Sequence, residues 1–407
     1  MAYQEVKRTS YGKNVGNSFK GTFLGILLVL LGTILIFWNE NRSISTYKAI
    51  GRAQDACVEM PDINTVSPEF DNKTVHCTGV ASTKEPLTDE NFGVTANALC
   101  IKREVEYYQW VEHSKTVTKE KIGGATEETT TYTYEKEWTS SPQTSSKFKD
   151  PAYQGRNFVY QKVEEKDLIP EKVFFGAYLL PDFIVNSIKG DENAEVRMDA
   201  DTKHQWNNAI KAQLGLTDEA DINYVNSYDN VVYFGPDPNK PEVGDVRVTF
   251  TYVPNDQEIS IIANTSGNTF TQYIDKKNGR NISSVAMGNV PAEQMFENLK
   301  SNNRMLTWGL RLLLLLIIIA GFRKMFSLVS TVFKVIPFLS KGIGKIVGFA
   351  CTILGFIWTL LFTAIAWIAV RPVLGISLLV VVVALIVWLV RRSKKKAEEE
   401  AVTETQS

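Results

Sequence analysis

The chemistry open to this chain is bounded by its three histidines, His76, His113 and His204, and its four cysteines, Cys57, Cys77, Cys100 and Cys351. His76 and Cys77 are adjacent, yet neighbours on a strand point to opposite faces and make a poor pair of metal ligands. His113 and His204 have no nucleophile or paired carboxylate at a motif spacing. No C-x-x-C, G-x-S-x-G, P-loop or G-x-G-x-x-G occurs in the 407 residues. Acid-base catalysis would then rest on carboxylates that nothing in the sequence separates from surface charge. No catalytic, cofactor-binding or metal-binding residue is expected, and the chain reads as a non-enzyme. Cys57, Cys77 and Cys100 allow one disulfide with one thiol left over; Cys57–Cys77 is the candidate bridge, and unpaired core thiols are the alternative.

Charged residues beside apolar runs are better candidates for function. Arg311 lies six residues beyond Met305, where an apolar segment begins, a depth of roughly 9 Å by helix rise. Glu40 closes another apolar segment on the same side, and Arg371 sits with Pro372 in a two-residue hairpin there. An arginine so placed either snorkels to the interface or joins Glu40 and Arg371 in a cluster that orients the helices or holds a lipid headgroup.

The elements that must position these residues are four apolar segments, 19–38, 305–322, 346–370 and 373–390. At ~1.5 Å per residue each crosses or nearly crosses a hydrocarbon layer of ~30 Å. Lysine and arginine cluster before the first, between the second and third, and after the fourth, so those regions are expected on the cytoplasmic side. Residues 1–18 are then cytoplasmic and 39–304 extracytoplasmic, 323–345 form a cytoplasmic or interfacial amphipathic segment, and 391–407 form a basic, then acidic, disordered tail. In 323–345, Phe326, Val329, Phe333 and Ile336 either enter lipid or pack beneath the bundle. The first segment lacks a small-residue cleavage pattern and reads as a retained anchor. Residues 43–303 carry 26 Lys+Arg against 39 Asp+Glu, a net charge of −13. That acidity argues against nucleic acid as a partner, whereas a basic cytoplasmic rim suits an anionic leaflet.

The external domain is expected to be α+β. Val105–Trp138 reads as a long hairpin turning at Lys121–Gly124, and Phe174–Ile188 and Asp201–Leu214 have helical spacing. Strands return at Val231–Phe234, Val246–Tyr252, Ile259–Ala263 and Thr269–Ile274, with Val246, Val248, Phe250 and Tyr252 on one face. Asn289, Pro291 and Glu293 mark a helix start, and that helix is expected to be continuous with the second membrane segment. Tyr108, Trp110, Trp138 and the run Pro241–Val248 are core or interaction surface.

Several strings resemble the transmembrane protein 43 (LUMA) family: Trp38–Arg42, Asn91–Val94, Tyr108–Glu112, Glu137–Trp138, Pro241–Phe250, Thr307–Arg311 and Arg371–Pro372, in that order. Asn41 departs from the glycine the family carries, so a tight turn at the first membrane exit is not implied. The resemblance implies four membrane helices and a large luminal or periplasmic domain. Its eukaryotic members reside in the endoplasmic reticulum and inner nuclear membrane and associate with themselves, emerin and lamins; bacterial members would be periplasmic-facing and meet no lamin. The absence of a sorting motif favours a bacterial inner membrane for this chain. The leading expectation is a self-associating membrane scaffold that organises membrane proteins or lipids. The alternative is a lipid-sensing or lipid-handling protein whose site joins the external domain to the bundle at Glu40, Arg311 and Arg371; a deep apolar cleft there would favour it.

Overall fold

A computed structural model of the chain describes residues 3–216, 222–332, 337–368 and 371–405. The helices are α1 (Tyr11–Ala56), α2 (Asp182–Val185), α3 (Ala200–Gln213), α4 (Ala292–Met325), α5 (Ser327–Val332), α6 (Pro337–Ile368) and α7 (Pro372–Thr405). Two compact units result: a β-rich one of residues 1–5, 50–115 and 130–298, and a helical one of residues 6–49, 116–129 and 299–407.

The β-rich unit holds two large sheets and a two-stranded one, Leu87–Asp89 with Val94–Ala96. In the first, Ala98–Glu120 pairs with Val246–Pro254, which pairs with Val231–Phe234 and then Val225–Tyr228. The period-two pattern works as expected: Val246, Val248 and Phe250 are fully buried, while Arg247 and Thr249 face outward. Helix α3 covers this core with Trp206 and Ile210, and starts where the Asp199 carboxylate accepts from the Thr202 amide at 2.8 Å. The second sheet closes on itself. Thr74–Ser82, Gln257–Ser266, Thr269–Thr271, Tyr178–Leu180 and Val173–Phe175 each pair with the next, and the last pairs back to the first. This small barrel packs Val75, Cys77, Phe175, Tyr178, Ile259, Ile261 and Phe270 together, and closure removes most of its exposed edges.

One helical expectation fails here. Residues 174–180 are two short strands, and only Asp182–Val185 is helical. Gly176, at φ +61°, makes the turn between them, and Val173, Phe175, Tyr178 and Leu180 fill the barrel core. The aromatics Tyr108 and Trp138 lie 5.1 Å apart with Arg247 over Trp138 at 4.5 Å, so they pack on one another across the outer sheet face.

In the helical unit α1, α4, α6 and α7 each carry a span long and apolar enough to cross a membrane. Helix α1 runs straight through Asn41, and α4 is unbroken from Ala292, so the expected continuity at Asn302 holds. Helices α1 and α4 approach closely at glycines: a Cβ on Gly25 would sit 2.4 Å from the Met325 amide nitrogen and 2.6 Å from the Gly321 carbonyl. Val29, Leu314, Ile318, Phe322 and Cys351 form the bundle core, with Phe326 packed against it. Val329 is exposed; Phe333 and Ile336 lie outside the described residues. The tail expected to be disordered instead prolongs α7 to Thr405, consistent with the strong helix propensity of its Lys, Ala and Glu residues.

The tip of the long hairpin, residues 116–129, belongs to the helical unit. Arg8 Nε donates to Glu127 at 3.0 Å, Asn14 Nδ2 to the Gly124 carbonyl at 3.0 Å, and Thr126 Oγ1 to Asn14 Oδ1 at 3.2 Å. The charge pattern assigns residues 1–18 and 39–304 to opposite sides of a membrane, and these contacts join the two. A ribbon with exposed Lys115, Lys119 and Lys121 side chains cannot lie in hydrocarbon. The contacts and a bilayer between the tip and residues 8–14 therefore exclude one another.

Asp245, in the Pro241–Phe250 run, is fully buried. Its carboxylate accepts from the Tyr233 hydroxyl and from the Glu242 amide at 2.8 Å. Burial outweighs those hydrogen bonds and raises its pKa to about 6.

In membranes, with the native cysteines replaced, an impermeant thiol reagent applied from the external side should modify Ile122→Cys, at a residue 92% exposed, and spare Lys13→Cys. The tip then releases residues 8–14 when α1 inserts; modification of both, or of neither, would mean that they stay together and that the sidedness must be redrawn. For Asp245 the folded pKa of about 6 lies above an unfolded value near 3.9. The folded state holds a proton that the unfolded state has lost, so stability should fall as pH rises from about 4 to about 6, by at most roughly 1.4 kcal/mol per pH unit, and level off above. Chemical denaturation across that range should show the slope in the wild type and not in Asp245→Asn.

Candidate functional site

The polar run Asn39–Ser43 of α1 faces a stripe of α4 at four-residue spacing, Asn303, Thr307 and Arg311. Arg42 donates to Asn303 Oδ1 at 3.2 Å, Thr307 Oγ1 at 2.9 Å and Asn39 Oδ1 at 3.3 Å. Asn303 Nδ2 donates to the Ser43 carbonyl at 2.9 Å. One turn further along α4, Arg311 forks onto Glu40, Nε to Oε1 and Nη2 to Oε2, both at 2.7 Å. Trp367, near the end of α6, donates Nε1 to Glu40 Oε2 at 2.7 Å. The guanidinium also lies 4.6 Å from the Trp308 ring centroid and 5.1 Å from that of Trp367. The Glu40 side chain is 2% exposed and that of Arg311 18%.

Of the three expected members, Glu40 and Arg311 are therefore in direct contact. Arg371 is exposed in the α6–α7 turn, where its amide donates to the Trp367 carbonyl at 2.6 Å. Its side chain is on the rim of the same site. Trp308, Trp367, Lys300 and Arg304 were not anticipated. The signal for three of them was present, since Lys300, Arg304 and Trp308 recur every four residues along α4, on a stripe beside Asn303, Thr307 and Arg311.

Two cavities share the walls Trp308, Arg311 and Trp367. One, of about 290 Å³, is lined by Leu312 and Leu315 of α4, Phe356 and Leu360 of α6 and Leu378 of α7, and is almost wholly apolar. The other, of about 320 Å³, is polar, with Ser43, Tyr47, Lys300, Arg304 and Arg371 among its lining. The Glu40–Arg311 pair thus stands between an apolar chamber and a cationic groove.

The other candidates behave differently. Cys57 and Cys77 are free thiols, in line with the alternative of unpaired thiols and not with the candidate bridge. Val58 pairs with Val75 in parallel, which places Cys57 opposite Thr74, three positions from Cys77. At ~3.3 Å per residue that offset exceeds the ~7 Å limit for a disulfide. Burial raises the Cys57 pKa to about 12 and raises that of Cys77 further, so neither is a ready nucleophile. His76 is held between Glu59 at 2.7 Å and the Val290 carbonyl at 2.9 Å, as a satisfied interior histidine. His113, Glu135 and Glu137 bring their ligand atoms within 4.8 Å of one another on the hairpin surface, a grouping that the sequence did not reveal because it spans two strands.

The transmembrane protein 43 family model matches residues 107–372. The chain belongs to the transmembrane protein 43 family. It is 28% identical to mouse transmembrane protein 43 over 300 residues, 72% of this chain and 70% of the relative. It is 27% identical to the human protein over 394 residues, 93% and 91% of the two chains, and 25% identical to the Drosophila melanogaster homolog over 377 residues, 90% and 93%. No solved structure matches. The family match includes Trp308, Arg311, Trp367 and Arg371, while Glu40 lies before it.

Glu40→Gln should leave the Arg311 charge without its counter-ion and lower stability by about 3 kcal/mol, read as a fall in thermal unfolding temperature in detergent. Glu40→Gln combined with Arg311→Met should recover much of that loss, because the unpaired charge is gone. Equal losses in the single and double variants would show that the pair does not hold the helices.

Proposed function

We propose that this transmembrane protein 43 family member is a lipid-binding membrane protein, with its site at the junction of the apolar chamber and the cationic groove. The observation that carries this reading is the shared wall: one set of side chains, Trp308, Arg311 and Trp367, bounds both cavities. A lipid is the molecule that needs an apolar and a polar compartment side by side, and a chamber of about 290 Å³ suits part of an acyl chain. An apolar recess at this position, open on the side where Trp308, Leu312 and Phe356 are exposed, favours lipid handling over a scaffold, for which a flat, well-packed junction is expected. The relatives bear names that describe membrane proteins and no enzyme, which supports a non-catalytic role. On the charge pattern, the groove opens to the extracytoplasmic leaflet.

Native mass spectrometry of the full chain in mild detergent checks the reading. A monomer retaining one co-purified lipid is expected, and Leu360→Trp, which fills the chamber, should lose that lipid while keeping the wild-type circular dichroism spectrum. A discrete homo-oligomer without lipid would overturn the proposal in favour of a self-associating scaffold.

A further inference from the structure

The lining of the groove goes further than lipid binding in general. Four cationic side chains line it, Lys300, Arg304, Arg311 and Arg371, and among the described residues no carboxylate does. Glu40 cannot serve as the missing anion, because both its oxygens are taken by Arg311 and Trp367. Arg311 is neutralised by that fork. Arg304 and Arg371 are exposed and make no ion pair among the described residues, so the groove keeps a net positive charge beside an apolar chamber. Two guanidinium groups approaching one cavity from α4 and from the α6–α7 turn suit the oxygens of a phosphodiester, which each can bind through two parallel N–H donors.

From the same geometry follows what the site disfavours. A choline headgroup is recognised by carboxylates or by the open faces of aromatic rings. Among the described residues no carboxylate lines the groove, and its two indole rings, Trp308 and Trp367, share the lining with Arg304 and Arg371, whose charges repel a quaternary ammonium. The Ser43 and Tyr47 hydroxyls, also in the lining, add donors for a glycerol or phosphate oxygen.

We infer that the ligand is an anionic glycerophospholipid, with an acyl chain in the chamber of Leu312, Phe356 and Leu360 and its phosphate between Arg304 and Arg371. This rests on the lipid-binding reading above and narrows it to one headgroup class.

The test is a competition on the delipidated full chain in mild detergent, with phosphatidylglycerol and phosphatidylcholine of identical chains at equal concentration and native mass spectrometry as readout. Phosphatidylglycerol should be retained at least about tenfold over phosphatidylcholine, a difference of one decade in Kd. Arg304→Gln with Arg371→Gln should bring that ratio close to one while total lipid occupancy persists through the chamber. Leu360→Trp should abolish retention of both. Equal retention of the two lipids by the wild type would overturn the anionic assignment and leave lipid binding standing. Retention of neither would overturn both. A parallel sample with inorganic phosphate alone separates the remaining source: if phosphate binds as tightly as the lipid and displaces it, the groove is an anion site and the lipid assignment fails.

Discussion

A guanidinium about a turn and a half inside an apolar helix has to be compensated, and the way Arg311 is compensated organises this end of the bundle. Its fork uses both Glu40 oxygens, and Glu40 accepts a third bond from Trp367, so α1, α4 and α6 meet at one carboxylate. Each bond is charge-assisted and nearly shielded from water, which makes its geometry stringent. The two indole rings that flank the guanidinium are held by the same requirement. They form the partition between apolar chamber and cationic groove, so the site is a by-product of neutralising one charge.

The bundle is held by a second, different device further along. Gly25 and Gly321 let the α1 and α4 backbones approach to distances a side chain would forbid, and Val29 and Ile318 close around the crossing. Without a hydrophobic driving force in lipid, such close packing and a few polar bonds have to hold helices together. The Trp358 indole donating to Thr33 Oγ1 at 2.9 Å ties α6 into the same arrangement. Between the directional bonds at one end and the close packing at the other, α4, α6 and α7 leave an open apolar recess beside Arg311. At its far end α1 is fixed inside the β-rich unit, where Arg52 forks onto Asp275 at 2.6 and 2.7 Å and Ile50 and Ala53 are buried.

Where a local pattern has one physical solution, the sequence was a reliable guide. Four long apolar runs can only be spans, and the alternation in Val246–Phe250 can only face one way. Residues 174–180 misled because their apolar residues also suit a helix; the turn at Gly176 and the closing barrel select strands instead. The Cys57–Cys77 bridge misled because proximity in sequence says nothing of register, which a parallel pairing offset by three residues decides. Glu40 and Arg311 were legible as charges at one depth, whereas Trp367 was one aromatic among many.

What the sequence determined by itself, then, is the number of spans, the acidic and basic parts of the chain, and the placing of Glu40 and Arg311 at the ends of two apolar segments, because length, hydropathy and charge act locally and need no partner to be read. Tertiary structure alone decided that the carboxylate would be shared with Trp367, that Arg371 would stay on the rim, and that an apolar chamber would adjoin a groove lined by Arg304 and Arg371. These are properties of how helices far apart in the chain are rotated and spaced against one another. Rotation and spacing are set by the sum of many packing contacts, which no single stretch of residues contains.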